Sequence, residues 1–431
     1  MNVFIGRKSD GDVSGADRQR SPRQKNPFLS RVCVLLRETR PLIPDALAYT
    51  IRTEVVGGAS FARLWFRTSG CTRDRQGSCT FCNYGRGGAT DIGDMVSSVA
   101  RGLSELSATA PTTLLVSPSG SMFDEVEVPP AARRAILMLI AASGAREVLC
   151  ETRAETVTDA NAREFAKLMA GKSPHIEVGL ESSDPWVSNY CVNKTLSLDD
   201  YREAIARINA HGIGTITNVV VGTPFLSPSE VIDDAVRTIK WALDQGSASC
   251  VLFPLHVRGW TLAEWLWSRD MYEPPSLWSL VEVLRDLGPE RAARVTISWY
   301  RDYDSGAAED SASTRALASP ATCPRCQDAV FALLDAYRES CSFDLVRELS
   351  RFDCPCHEAW RRKLEASGGT GLVERVALAY EMIGRDVLGG PWWAHHGAEV
   401  LEDLTRNAPG WGAVAWGDAD HPRATRIPRG S

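Results

Sequence analysis

Between residues 63 and 257 the chain alternates between two textures. Short apolar, β-prone runs fall at Arg63–Ser69, Thr112–Pro118, Glu147–Arg153, His175–Ser182, Thr215–Gly222 and Cys250–Val257. Between them lie helix-periodic stretches near Asp91–Leu106, Ala131–Ala142, Asp159–Ala170, Asp199–His211 and Pro228–Asp244. Regular alternation of this kind predicts βαβ units and a parallel sheet. Right-handed crossovers then curl the sheet one way. Six units give an α/β fold, a partial (β/α)6 TIM-like barrel that stays open. In such barrels the chemistry sits at the C-terminal ends of the strands.

Those ends carry the unusual residues. The first run feeds a loop with Cys71, Cys79 and Cys82 at C-x7-C-x2-C. A C-x2-C pair is more often half of a structural zinc site. Here the pair encloses Phe81, and the next ligand types in sequence are Cys150 and His175. Three thiolates are one short of a closed four-cysteine site, and an iron–sulfur cubane held by three cysteines keeps one iron open. The second run ends in Ser119-Gly120-Ser121, small enough for backbone to approach a ligand, and equally an ordinary turn. The third ends in Glu151-Thr152-Arg153, either a grip for a zwitterion or an internal ion pair. The fourth ends on Glu181, a carboxylate after an apolar strand, seldom found there unpaired. The fifth ends in Gly222-Thr223-Pro224, a tight turn, and the sixth reaches His256, a weak candidate on its own.

Residues 1–28 are polar and read as a mobile tail. Val32 to Leu36 is a short apolar run that packs on the main domain, placed at 29–300. A linker at 301–320 leads to a small helical, cysteine-rich domain at 321–405 and a loose tail at 406–431. In that domain Cys323 and Cys326 at C-x2-C precede Cys354 and Cys356 at C-x-C. Four thiolates so spaced point to a structural Zn2+ that staples a small domain. An auxiliary cluster, or His357 or Cys341 in place of one ligand, stays open. With twelve cysteines and no recognisable export signal, thiolate–metal chemistry in the cytoplasm is the expectation. No apolar run reaches the length of a membrane span. The net charge of -6 and pI near 5.8 argue against a broad basic face, so nucleic acid is expected not to be a partner.

The cysteine loop ending in Cys79-Thr80-Phe81-Cys82, the turn Ser119–Ser121 and the ordered strand ends resemble the radical S-adenosylmethionine (SAM) superfamily. Seven residues in the first cysteine gap, where three are commonest, narrow the branch. Ser119 to Asp124, Glu151 to Glu155, Val178 to Glu181 and Tyr272 to Ser279 are similar to the archaeosine-biosynthesis radical enzymes, across roughly residues 60 to 365. The same branch includes the radical diol-dehydratase of apramycin biosynthesis. The resemblance implies a [4Fe–4S] cluster on Cys71, Cys79 and Cys82, with SAM on the open iron. Phe81 and Asn83 would lie by the adenine, and Gly222 to Pro224 would back it. Ser119, Gly120 and Ser121 would hold the amino group, while Arg153 and Glu181 would hold the carboxylate and the ribose or amino group. Reductive cleavage of SAM would give a 5′-deoxyadenosyl radical, with the protein orienting and shielding it.

The superfamily leaves the substrate open. The acidic balance favours a polycationic aminoglycoside, a paromamine-like diol dehydrated with SAM as co-substrate, and Asp124, Glu125, Glu181, Asp302 and Asp304 are candidates to hold its ammonium groups. Glu181, Tyr190, Asn218 or His256 would carry the proton traffic. A flavodoxin or ferredoxin would supply electrons, and an NADPH-dependent reductase would act on the product. The alternatives are tRNA base modification of the archaeosine type, or a non-catalytic zinc protein.

Overall fold

The computed structural model describes residues 26–42, 48–194, 196–301, 316–365 and 370–408. After helix α1 (Pro27–Leu36), capped by the Asn26 side chain, comes a hairpin of β1 (Tyr49–Val56) and β2 (Ala59–Phe66). Gly57 and Gly58 both have positive φ at its two-residue turn, as a tight hairpin requires. From β2 the chain alternates. A one-turn helix α2 (Thr72–Arg75) lies inside the cysteine loop and is followed by α3 (Ile92–Leu106). Then come β3 (Thr113–Pro118), α4 (Pro130–Ala142), β4 (Glu147–Thr152), α5 (Asp159–Leu168) and β5 (Ser173–Glu181). After a short turn α6 (Pro185–Val187) come α7 (Leu198–Ala210), β6 (Gly214–Val221), α8 (Pro228–Asp244) and β7 (Ser249–Pro254).

The sheet order is β1-β2-β3-β4-β5-β6-β7, completed by β9 (Val295–Ile297). Every pairing from β2 onward is parallel, and only the β1–β2 pairing is antiparallel. The result is the expected open half-barrel, with an antiparallel strand added at one edge and a short parallel one at the other. A small antiparallel ribbon pairs β8 (Val257–Arg258), directly after β7, with β10 (Ala316–Ala318). Helices α9 (Leu262–Trp267) and α10 (Leu277–Ala292) close this part of the chain.

Alternation within each strand sorts side chains to two faces. The outer set, including Leu64, Phe66, Leu114, Val116, Val148, Ile176, Val219 and Leu252, is buried under the helices. The inner set begins as a small apolar floor of Leu115, Leu149, Ile216 and Val251, flanked by Phe61 and Phe253. Further toward the C-terminal strand ends the inner positions turn polar, at Ser117, Glu151, Glu177 and Asn218. A polar lining inside an apolar shell makes that end of the barrel a place for a ligand.

The C-terminal part is helical: α11 (Gln327–Ser340), α12 (Phe343–Ser350), α13 (Pro355–Glu365), α14 (Leu372–Ile383) and α15 (Gly390–Arg406). Helix α11 spans the open side of the barrel. The Tyr337 hydroxyl donates to the carbonyls of Ala292 and Val295 at 2.9 and 2.8 Å, beside β9. Its neighbour Arg338 pairs with Glu54 of β1, and the Arg338 carbonyl accepts from Gly57 N–H at 2.9 Å. Among the described residues no helix is long and apolar enough to cross a membrane. Asp302 and Asp304 lie outside the described residues.

Candidate active site

The loop after β2 carries all three cysteines to the C-terminal edge of the parallel strands. Cys71 caps α2, with its N–H on the Tyr84 carbonyl at 3.0 Å. Cys79 has a φ of 59°, and the Cys82 N–H returns to the Cys79 carbonyl at 3.2 Å. The segment after β5 supports this stretch from the side. Cys79 N–H and Thr80 N–H donate to the carbonyls of Asn193 and Val192, and the Thr80 hydroxyl reaches Cys191 O at 2.7 Å. Burial pushes all three thiols up, Cys79 to about 12. Three loop thiols, one short of a closed four-cysteine site, suit a cluster in which each thiolate takes a different iron. Elsewhere, among the described residues, Cys323, Cys326, Cys354 and Cys356 form a group of potential metal ligands whose sulfurs lie within 4.8 Å of one another.

Arg153, at the end of β4, is the hub of the ligand-facing side. Its guanidinium sits 3.4 Å from Cys71 Sγ, 2.7 Å from Glu127 Oε1 and 3.0 Å from Glu155 Oε1, and it pairs closely with Asp124. These anions and the Cys71 thiol outweigh its burial and raise its pKa. Sequence reasoning named Arg153 but missed Glu127. That carboxylate is fully buried and accepts from Thr72 N–H (2.6 Å), Thr72 Oγ1 (2.7 Å), Ser121 N–H (2.6 Å) and Arg153. A Cβ on Gly120 would stand 2.2 Å from Glu127 Oε2, so glycine there is required by the carboxylate. The serine turn is thus joined to the cysteine loop through one side chain. Ser119 Oγ accepts from Thr68 N–H at 2.8 Å, and Ser121 Oγ shares hydrogen bonds with Thr152 and Thr156. Asp124, read above as a holder of ammonium groups, is instead committed to Arg153 and to the N–H groups of Val126 and Glu127.

Glu181 has a φ of 68° and its Oε1 accepts from Lys194 Nζ at 2.8 Å. A Cβ on Gly179 would lie 2.7 Å from that oxygen, so the carboxylate folds over the inner face of β5. Asn218 is the register partner of Gly179 and shares that face. Glu181 Oε2 and Asn218 Oδ1 are buried acceptors with no hydrogen-bond partner among the described residues. Two orphaned acceptors beside the cysteine loop fit a ligand that brings N–H or O–H donors. Gly222 directly follows β6 with a φ of 98°, and a Cβ there would come within 2.6 Å of Pro275 Cδ. The Tyr272 hydroxyl donates to its carbonyl at 2.7 Å. The segment Tyr272–Ser276 therefore buttresses the turn Gly222 to Pro224. Phe81 and Asn83 remain partly exposed on the cysteine loop.

Two residues suggested for proton transfer are placed elsewhere. The Tyr190 hydroxyl is engaged at the seam with α15, where it meets Asp403 Oδ2 at 3.1 Å and Asn407 Nδ2 at 2.9 Å. His256 is buried between Ser319 Oγ (3.0 Å) and the Trp299 carbonyl (2.5 Å). Inside the barrel a different acid–base pair stands out. Glu151 and Glu177 face each other in register on β4 and β5, and Ser117 Oγ donates to Glu151. Burial, then the Glu151 charge, push Glu177 up to about 8, against a lowering by Arg63. A carboxyl raised in the folded state stabilises the fold below its ordinary value, near 4.5, and that contribution fades as pH climbs toward 8. Glu177→Gln, permanently neutral, should remove that fading. Urea midpoints at pH 5 and pH 8 will diverge between wild type and variant, and parallel pH dependences would refute the assignment.

At the second cysteine group the sulfurs are 3.5 Å apart for Cys323–Cys326, 3.6 Å for Cys323–Cys354, 3.5 Å for Cys326–Cys356 and 3.4 Å for Cys354–Cys356. Tetrahedral thiolates at the usual zinc distance stand about 3.8 Å apart, so the group can hold a metal. His357 is not a fifth member. Its ring stacks on Trp278 at 4.1 Å, and its Nδ1 lies 3.1 Å from the Phe352 carbonyl. Cys341 caps the far end of α11.

No protein-family model matches the chain. The chain is similar to archaeosine synthase subunit beta. With that of Methanosarcina acetivorans it is 27% identical over 319 residues, 73% of this chain and 88% of that protein. With that of Thermococcus kodakarensis it is 29% identical over 223 residues, 50% of this chain and 68% of that protein. Among solved structures, the archaeal Elp3 of Methanocaldococcus infernus aligns at a TM-score of 0.42 and 15% identity, over 56% of this chain and 59% of that one. Archaeosine synthase modifies tRNA, which overturns the expectation that nucleic acid is no partner. That expectation rested on the net charge of the whole chain, and a total is silent about any single face.

Proposed function

We propose that this chain is a radical SAM enzyme that modifies a nucleoside of tRNA. The observation that carries the reading is the cysteine loop. Three thiols stand at the C-terminal strand ends, one short of a closed four-cysteine site, beside buried acceptors that have no partner among the described residues. Similarity to archaeosine synthase subunit beta over most of that protein supports a tRNA substrate over an aminoglycoside. Cys71, Cys79 and Cys82 would hold a [4Fe–4S] cluster. When bound, the reduced cluster and SAM supply a 5′-deoxyadenosyl radical that abstracts hydrogen. The residues of the chain bind and orient. Arg153 offers a cation beside Cys71, Glu181 and Asn218 offer acceptors for amino or hydroxyl groups, and Gly222 to Pro224 form a flat, buttressed wall. The apolar floor beneath Glu151 and Glu177 keeps water from the inner end of the barrel. Cys323, Cys326, Cys354 and Cys356 would hold a structural Zn2+. A ferredoxin or flavodoxin would serve as electron donor.

The test is anaerobic reconstitution with iron and sulfide, then dithionite and SAM with either archaeal tRNA or paromamine, read by mass spectrometry. Formation of 5′-deoxyadenosine with a mass change confined to a tRNA nucleoside is the expected result, and Cys79→Ser should reduce it to background. Loss of water from paromamine would move the reading to diol dehydration. Failure to bind iron would leave a zinc protein without this chemistry.

A further inference from the structure

The cysteine loop has a second support, from an unexpected quarter. Arg37, just beyond α1, buries its guanidinium beneath the loop and is 7% exposed. Its Nη1 donates to the carbonyls of Asp74 (2.6 Å) and Ser78 (3.0 Å). Its Nη2 donates to the carbonyls of Cys79 (2.6 Å) and Cys82 (3.0 Å). Two of these four acceptors belong to cysteines of the site. The other two belong to the seven residues between Cys71 and Cys79. Helix α1 also touches the loop at Gly77, whose φ is 85° and where a Cβ would fall 2.2 Å from the Ser30 carbonyl oxygen. Asn193 Nδ2 joins the two, at 2.7 Å from Gly77 O and 3.2 Å from Ser30 Oγ.

Among the described residues the charges around this fork do not cancel. Asp74, 1% exposed, is paired with Arg40 at 2.7 Å and lies 3.9 Å from Arg37 Nε. Two guanidinium groups thus share one carboxylate under a loop of three thiols. A buried cation in surplus is costly unless an anion stands near it. Three thiolates on a bound cluster would supply that anion. The planar fork of arginine also matches four converging carbonyls in a way that the point charge of lysine cannot.

We propose that Arg37 is a positioning residue of the cysteine site: it sets the course of the long loop through four carbonyls and raises the reduction potential of the cluster held there. This rests on the reading of Cys71, Cys79 and Cys82 as cluster ligands. A fixed positive charge favours the reduced, more negative form, so its removal makes reduction harder.

Full-length wild type, Arg37→Met and Arg37→Lys are to be compared by three measurements. These are iron per chain after reconstitution, midpoint potential by EPR-monitored titration, and alkylation rates of the three cysteines in metal-free protein. Arg37→Met should bind less iron, and its midpoint should fall by about 59 mV or more, a tenfold change in a one-electron equilibrium. Arg37→Lys should keep a midpoint near that of wild type while its Cys79 and Cys82 alkylate several-fold faster. An unchanged midpoint in Arg37→Met overturns the electrostatic role, and wild-type alkylation rates in Arg37→Lys overturn the positioning role. If Arg37→Met does not fold, a midpoint in Arg37→Lys as low as the shift expected for the neutral variant overturns the electrostatic role instead. A wild type that takes up no cluster refutes the reading of the site and the effect on potential together, while the alkylation rates still decide the positioning role.

Discussion

Glu127→Ala will destabilise the protein by about 3–5 kcal/mol, the range for removing one partner of a buried charge pair. Four donors converge on this carboxylate, from the cysteine loop, the serine turn and Arg153. Alanine leaves the N–H groups of Thr72 and Ser121 buried without acceptors, each costing about 1–3 kcal/mol. Arg153 keeps Asp124 and Glu155, which holds the total below a simple sum. Glu127→Gln should recover less than half of the loss, because its amide places N–H donors against donors. Urea denaturation of the three proteins measures this directly. A Glu127→Ala variant within about 1 kcal/mol of wild type would show that the loop is held chiefly from the Arg37 side.

The second large effect is expected at the other cysteine group. Stripping its metal, or making Cys326→Ser, should cost about 5 kcal/mol, or roughly 6 °C in Tm for a chain of this size. The damage should travel. Cys326 caps the start of α11, and α11 carries Tyr337 and Arg338 to the two free edges of the sheet. Amide exchange should therefore quicken in β1, far along the chain from the mutated cysteine. Elemental analysis is expected to find one zinc per chain. Iron at this group would refute the zinc assignment, and unchanged exchange in β1 would refute the mechanical link.

The half-barrel was legible because its six βα units repeat one pattern, and strands buried on both faces leave long apolar runs. β1 was missed although Val56-Gly57-Gly58-Ala59 is a hairpin signal, since a half-exposed edge strand has no apolar run to announce it. Arg153 could be picked out by its place at a strand end. Glu127 and Arg37 could not, because each acts through backbone groups distant in sequence, and such a link leaves no spacing rule. The four-thiol group was readable from C-x2-C and C-x-C alone, and the exclusion of His357 needed the stacking on Trp278. Tyr190 shows the opposite case: close to a strand end in sequence, it turns outward to serve α15.

The bridge made by α11 also bears on how the chain is built by the ribosome. Glu54 of β1 meets a partner 284 positions later, at Arg338. Until that late segment has emerged, the hairpin edge of a nascent half-barrel lacks the helix that packs against it, and an uncovered edge recruits strands from other molecules. Contacts this distant in sequence also slow assembly. Production of the protein should therefore be limited by self-association of incomplete chains, and slower translation or chaperone cover of the first three hundred residues is where yield would be gained.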